Sequence, residues 1–431
     1  MRFLYTLLLR LSAPFWLIHT ARSAYRRGTS GPRWKERFGY LPFKPDPERK
    51  RIWIHAVSVG EVMVVAPVIR ALKQRLPGYE VIVSTTTTTG QATAQQSLQG
   101  IADYIVFMPF DLPGACRRAF QRATPQVVVI AETELWLNFL AEAKRAKAST
   151  LIINGRISDR SFNRARKFSF FYKILLRYVD TFLMQSEVDA ERIKTLGADP
   201  LRVTVSGNTK FDQAVDTLDA DPVQLRKDLH LPSSAPVIVV GSTRAAKDGE
   251  PVEEELVLDA FDKIRQAIPE VCLILAPRHL ERTDVVERLM QEHGLDVIRR
   301  TKLTETHGEA RYIVLDTFGE LAKIYAIASV AVVGGGFAPL GGQNIFQPLA
   351  HGVPTFFGPH MHNFRDIAAL ANTAGIGFNV TNSDELANGI LSILNDPARR
   401  KQINQDARVL ISKNKGVSQR CAEVIASFCQ H

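Results

Sequence analysis

The side chains able to do chemistry fall in short stretches, each following an apolar, β-branched run. In HAVSVGE, His55–Glu61, a strand-like run ends at Gly60 and Glu61 opens a helix. A helix N-terminus stabilises a carboxylate and lowers its pKa. Glu61 is therefore expected to stay ionised at neutral pH, able to take a proton from a hydroxyl. It also reads as an ordinary first-turn acid. In AETELWLN, Ala131–Asn138, Glu132 and Glu134 directly follow a buried run and either face a crevice or cap a helix. GSTRAAKDGE, Gly241–Glu250, ends a strand in groups that suit an anion, without P-loop spacing. In APRH, Ala276–His279, Arg278 suits phosphate or carboxylate, or simply water. DTFGEL, 316–321, puts Gly319 and Glu320 at a turn.

The richest stretch is Val332–Asp366. Its glycines 334, 335, 336, 341 and 342 let backbone approach a ligand closely, and a Gly-rich loop before a helix is a general phosphate cradle. Asn344 and Gln347 sit where that helix begins, within reach of ribose or phosphate. His351, His360 and His362 lie in a Gly/Pro-rich setting without H-E-x-x-H, so no metal site is expected.

Alternating elements must position these stretches. Apolar runs at 52–59, 80–87, 103–110, 126–132, 149–155, 181–186 and 203–208 are separated by helical spacing, as in Val62, Val65, Ile69 and Leu72. After a polar stretch, 212–236, a second set follows at 236–243, 271–277, 312–316, 330–336 and 353–358. Continuous apolar strands alternating with helices indicate α/β architecture with two doubly wound parallel sheets. Ligand crevices in such sheets lie beyond the carboxyl ends of the strands. A last helical stretch, Val417–Phe428, is expected to return to the first domain.

With 431 residues, 45% of them apolar and 23% charged, the chain can bury real cores, which excludes a mainly disordered or collagen-like protein. The formal charge of +10 is uneven. Residues 1–51 hold 12 basic and 3 acidic residues, net +9, leaving 42 basic and 41 acidic over the other 380. That near-neutral body argues against nucleic-acid binding. The leader 3–18 is apolar except for Thr6, Arg10 and Ser12, shorter than a bilayer span, and followed by the basic cluster Arg22–Arg37. Three readings stand: an interfacial or signal-anchor helix on the cytoplasmic, anionic side of a membrane, a cleaved signal peptide, or a first helix packed on its own domain. Cys116, Cys272, Cys421 and Cys429 form no Cys-x-x-Cys pair, which fits a reducing compartment.

Taken together, HAVSVGE, ETELWLN, N-x-R-x-S at Asn154–Ser158, GNTKFD at 207–212, GST, PRH, DTFGEL, GG-x-F…GGQN and GPHMHNF follow one another in the order of a known family. The chain resembles the 3-deoxy-D-manno-octulosonic acid (Kdo) transferases of lipopolysaccharide assembly over nearly its whole length. That resemblance implies a GT-B fold with an N-terminal membrane-anchoring helix. It divides the chain into an anchor at 1–21, an acceptor-side Rossmann-like domain at 22–211, a donor domain at 212–410 and a returning helix at 411–431. It implies inverting transfer of Kdo from CMP-Kdo to the lipid A precursor, at the cytoplasmic face of the inner membrane, without a metal cofactor. Glu61 takes the role of general base, and Glu132 and Lys210 match positions that stabilise the transition state. Pro277 and Arg278, then Phe318, Gly319 and Glu320, then Asn344, Ile345, Phe346 and Gln347 match the CMP-binding segments. Three positions depart from the family pattern: Leu137 replaces Pro, Arg244 replaces His with extra residues before Gly249–Glu250, and Gln347 replaces Glu. Arg244 and Gln347 keep open a related GT-B enzyme using another nucleotide sugar. A non-catalytic membrane-surface binder is the alternative outside enzymes.

Overall fold

A computed structural model of the chain describes residues 2–12, 33–46, 48–215, 220–245, 253–305 and 308–429. It contains two units, Met1–Gln213 with Gly416–His431, and Ala214–Lys415. Seven helices matter for function: α1 (residues 2–12), α2 (Val59–Arg75), α3 (Leu137–Arg145), α4 (Lys210–Val215), α5 (Glu253–Ala267), α6 (Phe346–Ala350) and α7 (Val417–Ser427).

The first unit is built on a seven-stranded sheet. Its strands are β1 (Arg51–His55), β2 (Glu80–Thr85), β3 (Tyr104–Phe107), β4 (Val127–Ala131), β5 (Ser149–Gly155), β6 (Thr181–Met184) and β7 (Val203–Val205). The order is β3-β2-β1-β4-β5-β6-β7, with every pair parallel. A parallel sheet is covered on both faces, and the side chains sort by the two-residue period. Trp53, Ile82, Val128 and Ile152 enter one core, while Ile52, Ile54, Val83, Val129 and Leu151 enter the other. β1 stops at His55 and α2 already runs at Val59, so Gly60 lies in the first turn of the helix rather than at a strand end.

Helix α2 buries Val62, Val65, Ala66, Ile69 and Leu72 in the second core. Facing them, α7 contributes Val417, Cys421, Ala422 and Ile425, all fully buried. The Asp212 carboxylate seats the start of α7 by accepting Gly416 N–H (2.5 Å) and Ser418 N–H (2.6 Å). At its far end, Tyr79 Oη donates to the Cys429 carbonyl (2.8 Å).

Helix α1 reverses the usual pattern of an amphipathic helix. Three of its polar side chains face the protein: Arg2 Nη2 meets Glu142 (2.6 Å), Tyr5 Oη donates to Asp111 (2.7 Å) and Thr6 Oγ1 to Asn138 (3.2 Å). Phe3, Leu4, Leu7, Leu8 and Leu11 are exposed. Among the described residues no helix is long and apolar enough to cross a membrane. Residues 13–21 of the expected anchor, and Arg22, Arg26 and Arg27 of the basic cluster, lie outside the described residues.

The second unit repeats the plan with β8 (Val237–Thr243), β9 (Cys272–Pro277), β10 (Val297–Arg299), β11 (Tyr312–Val314), β12 (Val330–Val333), β13 (Thr355–Phe357) and β14 (Gly377–Asn379). The order is β10-β11-β9-β8-β12-β13-β14, again parallel throughout. β10 and β14 are three-residue edge strands, too short for a period to show in the sequence.

The α2–α7 seam yields the first prediction. Ile425→Ala removes a fully buried side chain from it and is expected to cost about 2–4 kcal/mol of stability. Urea unfolding followed by far-UV circular dichroism measures this. A loss below 0.5 kcal/mol, the range of ordinary surface substitutions, would mean that α7 does not brace α2.

Candidate active site

In the first unit a cluster of charged residues stands at the carboxyl edge of the sheet. Glu61 lies in the first turn of α2, just past β1, and is buried. One carboxylate oxygen accepts the Val57 N–H (2.8 Å) and the other the Ser58 hydroxyl (3.0 Å). These bonds pull its pKa down, as expected of a helix start, but burial outweighs them and pushes it up to about 7. The nearby charges of Glu132 and Glu134 push the same way. The carboxylate expected to be fully ionised is instead poised near neutrality. The physical reason is magnitude: a helix terminus gives roughly 0.3–1 kcal/mol, less than desolvation of a buried charge.

Glu132 follows β4 directly. Its N–H donates to the Ile153 carbonyl (3.0 Å), and its φ of 56° is left-handed, a conformation costly for a residue with a Cβ. Lys210 opens α4 after β7, its own N–H held by Asn208 Oδ1 (3.0 Å). Burial pushes the Lys210 pKa down, Glu132 pulls it up, and Arg156 pushes it down. Glu61, Glu132 and Lys210 thus share one electrostatic neighbourhood with Glu134 and Arg156. The last two lie within motifs already singled out, but no spacing rule marks them as partners of Glu61. Asn154, at φ 52°, is a second left-handed residue on this edge, and its Oδ1 accepts Thr209 N–H (3.1 Å) beside Lys210. His55 is buried and neutral, with burial lowering its pKa to about 4, and its Nδ1 faces the Ser84 carbonyl (3.1 Å).

The second unit gathers most of the expected donor segments around one hollow of about 180 Å³ at the carboxyl ends of β8, β9 and β11. It is lined by Ser242, Pro277, Arg278, Phe318, Gly319 and Gln347, among others. Ser242 is left-handed at φ 60°, as Glu132 and Asn154 are at the carboxyl edge of the first sheet. Phe318 is 80% exposed, a bare ring at the rim. Glu320 is pinned by Arg300 (3.2 Å) and by the Thr317 hydroxyl. Asn344 Oδ1 accepts Phe346 N–H (2.9 Å) at the start of α6. Ile345 and Phe346 are buried, so only their backbone can meet a ligand.

The first half of the Gly-rich loop departs from the expected phosphate cradle. The buried Glu253 carboxylate, from the first turn of α5, accepts Gly335 N–H (2.6 Å), Phe337 N–H (3.1 Å) and Arg244 N–H (2.9 Å). These amides are committed within the protein. A Cβ at Gly334 would fall 2.7 Å from Glu253 Oε2 and 2.6 Å from the Thr243 backbone, so only glycine permits this seat. Residues 246–250 of the loop after Arg244 lie outside the described residues. The single Asp-x-Asp string, Asp219–Asp221, falls in the polar stretch that opens the second unit. Asp221 spends its carboxylate capping Val223 N–H (2.9 Å), and Asp219 lies outside the described residues. Among the described residues no three His, Cys, Asp or Glu side chains are grouped as metal ligands.

Comparison with known proteins decides the family. The profile described as 3-Deoxy-D-manno-octulosonic-acid transferase (kdotransferase) matches residues 32–213. A 3-deoxy-D-manno-octulosonic acid transferase of Bordetella pertussis is 33% identical over 444 aligned residues, covering 99% of each chain. The chain belongs to the Kdo transferase family. The transferase of Haemophilus influenzae is 28% identical, covering 100% of this chain and 99% of its own. In structure, a glycosyltransferase from Rickettsia africae matches with a TM-score of 0.60 at 14% identity, over 88% of this chain and 99% of that one. The UDP-GlcNAc 2-epimerase of Neisseria meningitidis matches with a TM-score of 0.60 at 12% identity, over the same shares. At such identities the likeness concerns fold alone, the two parallel-sheet α/β domains of GT-B glycosyltransferases.

As a Kdo transferase family member the chain is a glycosyltransferase, and its Gln347 stands in the second-unit hollow. The raised pKa of Glu61 makes a prediction about stability. Between about pH 4.5 and 7 the native state holds a proton that the unfolded chain has released, so stability falls as pH rises through this window. Glu61→Gln removes that ionisation. It is expected to be more stable than the parent at pH 9, by about 3 kcal/mol at most, with no gain at pH 4. Thermal unfolding across pH checks this, and a pH-independent difference would contradict a buried, proton-holding Glu61.

Proposed function

We propose that this glycosyltransferase moves Kdo from CMP-Kdo to a phosphorylated lipid A precursor with inversion, and that Glu61 is the general base. The observation that carries this reading is the Glu61 carboxyl, oriented by Val57 N–H and Ser58 and poised near pH 7. A base is most effective when its pKa lies near the working pH. In the proposed step an acceptor hydroxyl gives its proton to Glu61 as its oxygen bonds to the anomeric carbon of Kdo. The bond from that carbon to the CMP phosphate oxygen breaks, and CMP leaves with the electron pair. Lys210 and Glu132 supply fixed charges around the reacting centre. Pro277, Arg278, Gly319 and Gln347 line the hollow assigned to CMP. The step is routed through no metal.

The acceptor is a membrane lipid in this reading, which assigns the enzyme to the cytoplasmic face of the inner membrane. The outward apolar face of α1 supports it: Phe3, Leu4, Leu7, Leu8 and Leu11 are exposed while polar bonds hold the helix to the protein.

Incubation with CMP-Kdo and tetraacyl lipid A precursor is expected to give a Kdo adduct by mass spectrometry, with release of CMP. Glu61→Ala should lower kcat by about 10²–10⁴-fold. The parent rate should climb with pH to a plateau, with a midpoint near 7. An unchanged rate in Glu61→Ala would remove the base assignment. Gln347 at the donor hollow favours a second reading, a different nucleotide sugar; thermal stabilisation by UDP but not CMP would establish it over CMP-Kdo. For the membrane, Leu8→Glu with Leu11→Glu should weaken sedimentation with anionic vesicles while leaving the thermal shift by CMP intact. Equal binding to vesicles would overturn the role of α1.

A further inference from the structure

A second hollow, of about 190 Å³, lies on the same carboxyl edge of the first sheet as Glu61. Arg37, Thr86, Met108, Phe110, Asp111 and Trp136 line it. Three polar atoms of these side chains, Arg37 Nε, Thr86 Oγ1 and Trp136 Nε1, are shut away from water and have no hydrogen-bond partner. They come from three separate elements: the helix Trp34–Arg37, the turn after β2 and the turn before α3. Buried polar groups in native proteins are almost always satisfied, and each one left unmade costs about 1–3 kcal/mol. Three at one hollow point to an absent partner.

The chemistry of that partner follows from the donors. Arg Nε and Trp Nε1 only donate, and Thr Oγ1 can donate as well. The partner must therefore offer acceptor oxygens. Arg37 is 6% exposed and forms no ion pair among the described residues; the neighbouring Glu36 charge favours it, but that carboxylate is paired with Arg33 (3.2 Å). Arg37 is held by the Thr86 carbonyl (2.8 Å) and by the faces of Phe107 (4.3 Å) and Phe110 (5.6 Å). A buried guanidinium held in this way calls for an anion. Asp111, in the same wall, does not fill that need. Its oxygens accept Tyr5 Oη (2.7 Å), Asn138 N–H (3.2 Å) and Phe139 N–H (2.8 Å), capping α3 and docking α1.

We infer that this hollow is an oxyanion subsite that takes a phosphate group, with Arg37, Thr86 and Trp136 as its three donors. Resting on the proposed acceptor, the phosphate is that of the lipid, held on the edge that carries the base and beside the helix that meets the membrane. Free phosphate has the same chemistry, and the experiment separates the two sources.

The test uses the full chain, Trp136→Phe and Thr86→Val, neither of which touches the residues assigned to catalysis. In the first arm inorganic phosphate is titrated at constant ionic strength, read by thermal shift and tryptophan fluorescence. The parent should be stabilised, and each variant should need about tenfold more phosphate. In the second arm KM is measured for the acceptor with and without its phosphates. Trp136→Phe should raise KM about tenfold for the phosphorylated acceptor only, with kcat within twofold. Absence of a phosphate response in the parent, or an equal response in the variants, overturns the subsite. Phosphate binding without KM discrimination assigns the hollow to free phosphate and overturns the acceptor role. Phosphate binding by a protein that transfers no Kdo would sink the proposed function and leave the subsite standing.

Discussion

The burial of one carboxyl group, that of Glu61, governs the chemistry of the first domain. At the start of a helix a carboxylate is ordinarily a stabilised anion. Here two hydrogen bonds favour the anion and burial opposes it, and burial prevails. The cost has to be met elsewhere, and the means is visible. α2, which carries Glu61, is clamped by Val417, Cys421, Ala422 and Ile425 of α7. A chain that leaves the first domain at Gln213 and returns at Gly416 therefore helps to hold Glu61 in place.

The two domains use the same position differently. Each places an acid in the first turn of the helix that follows its first strand: Glu61 after β1 and Glu253 after β8. Glu61 receives one backbone N–H and one hydroxyl, and retains a pKa near neutrality. Glu253 receives three backbone N–H groups, two of them from the Gly-rich loop. Burial raises the Glu253 pKa as well, but its bonds are those of a brace. It occupies the amides that a phosphate would otherwise take. The first part of the loop is thereby tied to α5, while Arg278 and Gln347 line the hollow elsewhere along the edge.

Much of this was legible in the sequence, and what was not has a physical cause. Continuous apolar runs such as Val127–Ala131 announce buried parallel strands, because both faces must be covered. Strand ends announce the site, so Glu132, Arg278 and Gly319 could be named in advance. Protonation could not, since it depends on how deeply the folded chain buries Glu61, which the local sequence does not encode. Backbone strain could not either. Glu132, Asn154 and Ser242 adopt left-handed φ without being glycine, so composition carries no mark of it. Glu253 sits in a run of three glutamates that reads as a solvated helix start, yet it is 1% exposed. Its partners lie 82 and 84 residues further along the chain.

Of the three readings that the sequence left for the N-terminal stretch, the structure bears on the last, for α1 is docked on its own domain. A helix packed on its own domain would turn leucines inward, and a free interfacial helix would touch nothing. α1 docks through Arg2, Tyr5 and Thr6, and directs Phe3, Leu7 and Leu11 outward. Polar docking is the costly choice in water, because it gives up burial of five large apolar side chains, each worth about 1.5–3 kcal/mol when fully buried. On the membrane reading proposed above, that cost would be recovered by entry of the outward face into an apolar phase. The same helix ends its docking on Asp111, whose oxygens also cap α3 and whose side chain lines the second hollow. The surface that would meet lipid and the hollow that would meet an anion therefore share a residue, and insertion of one bears directly on the geometry of the other.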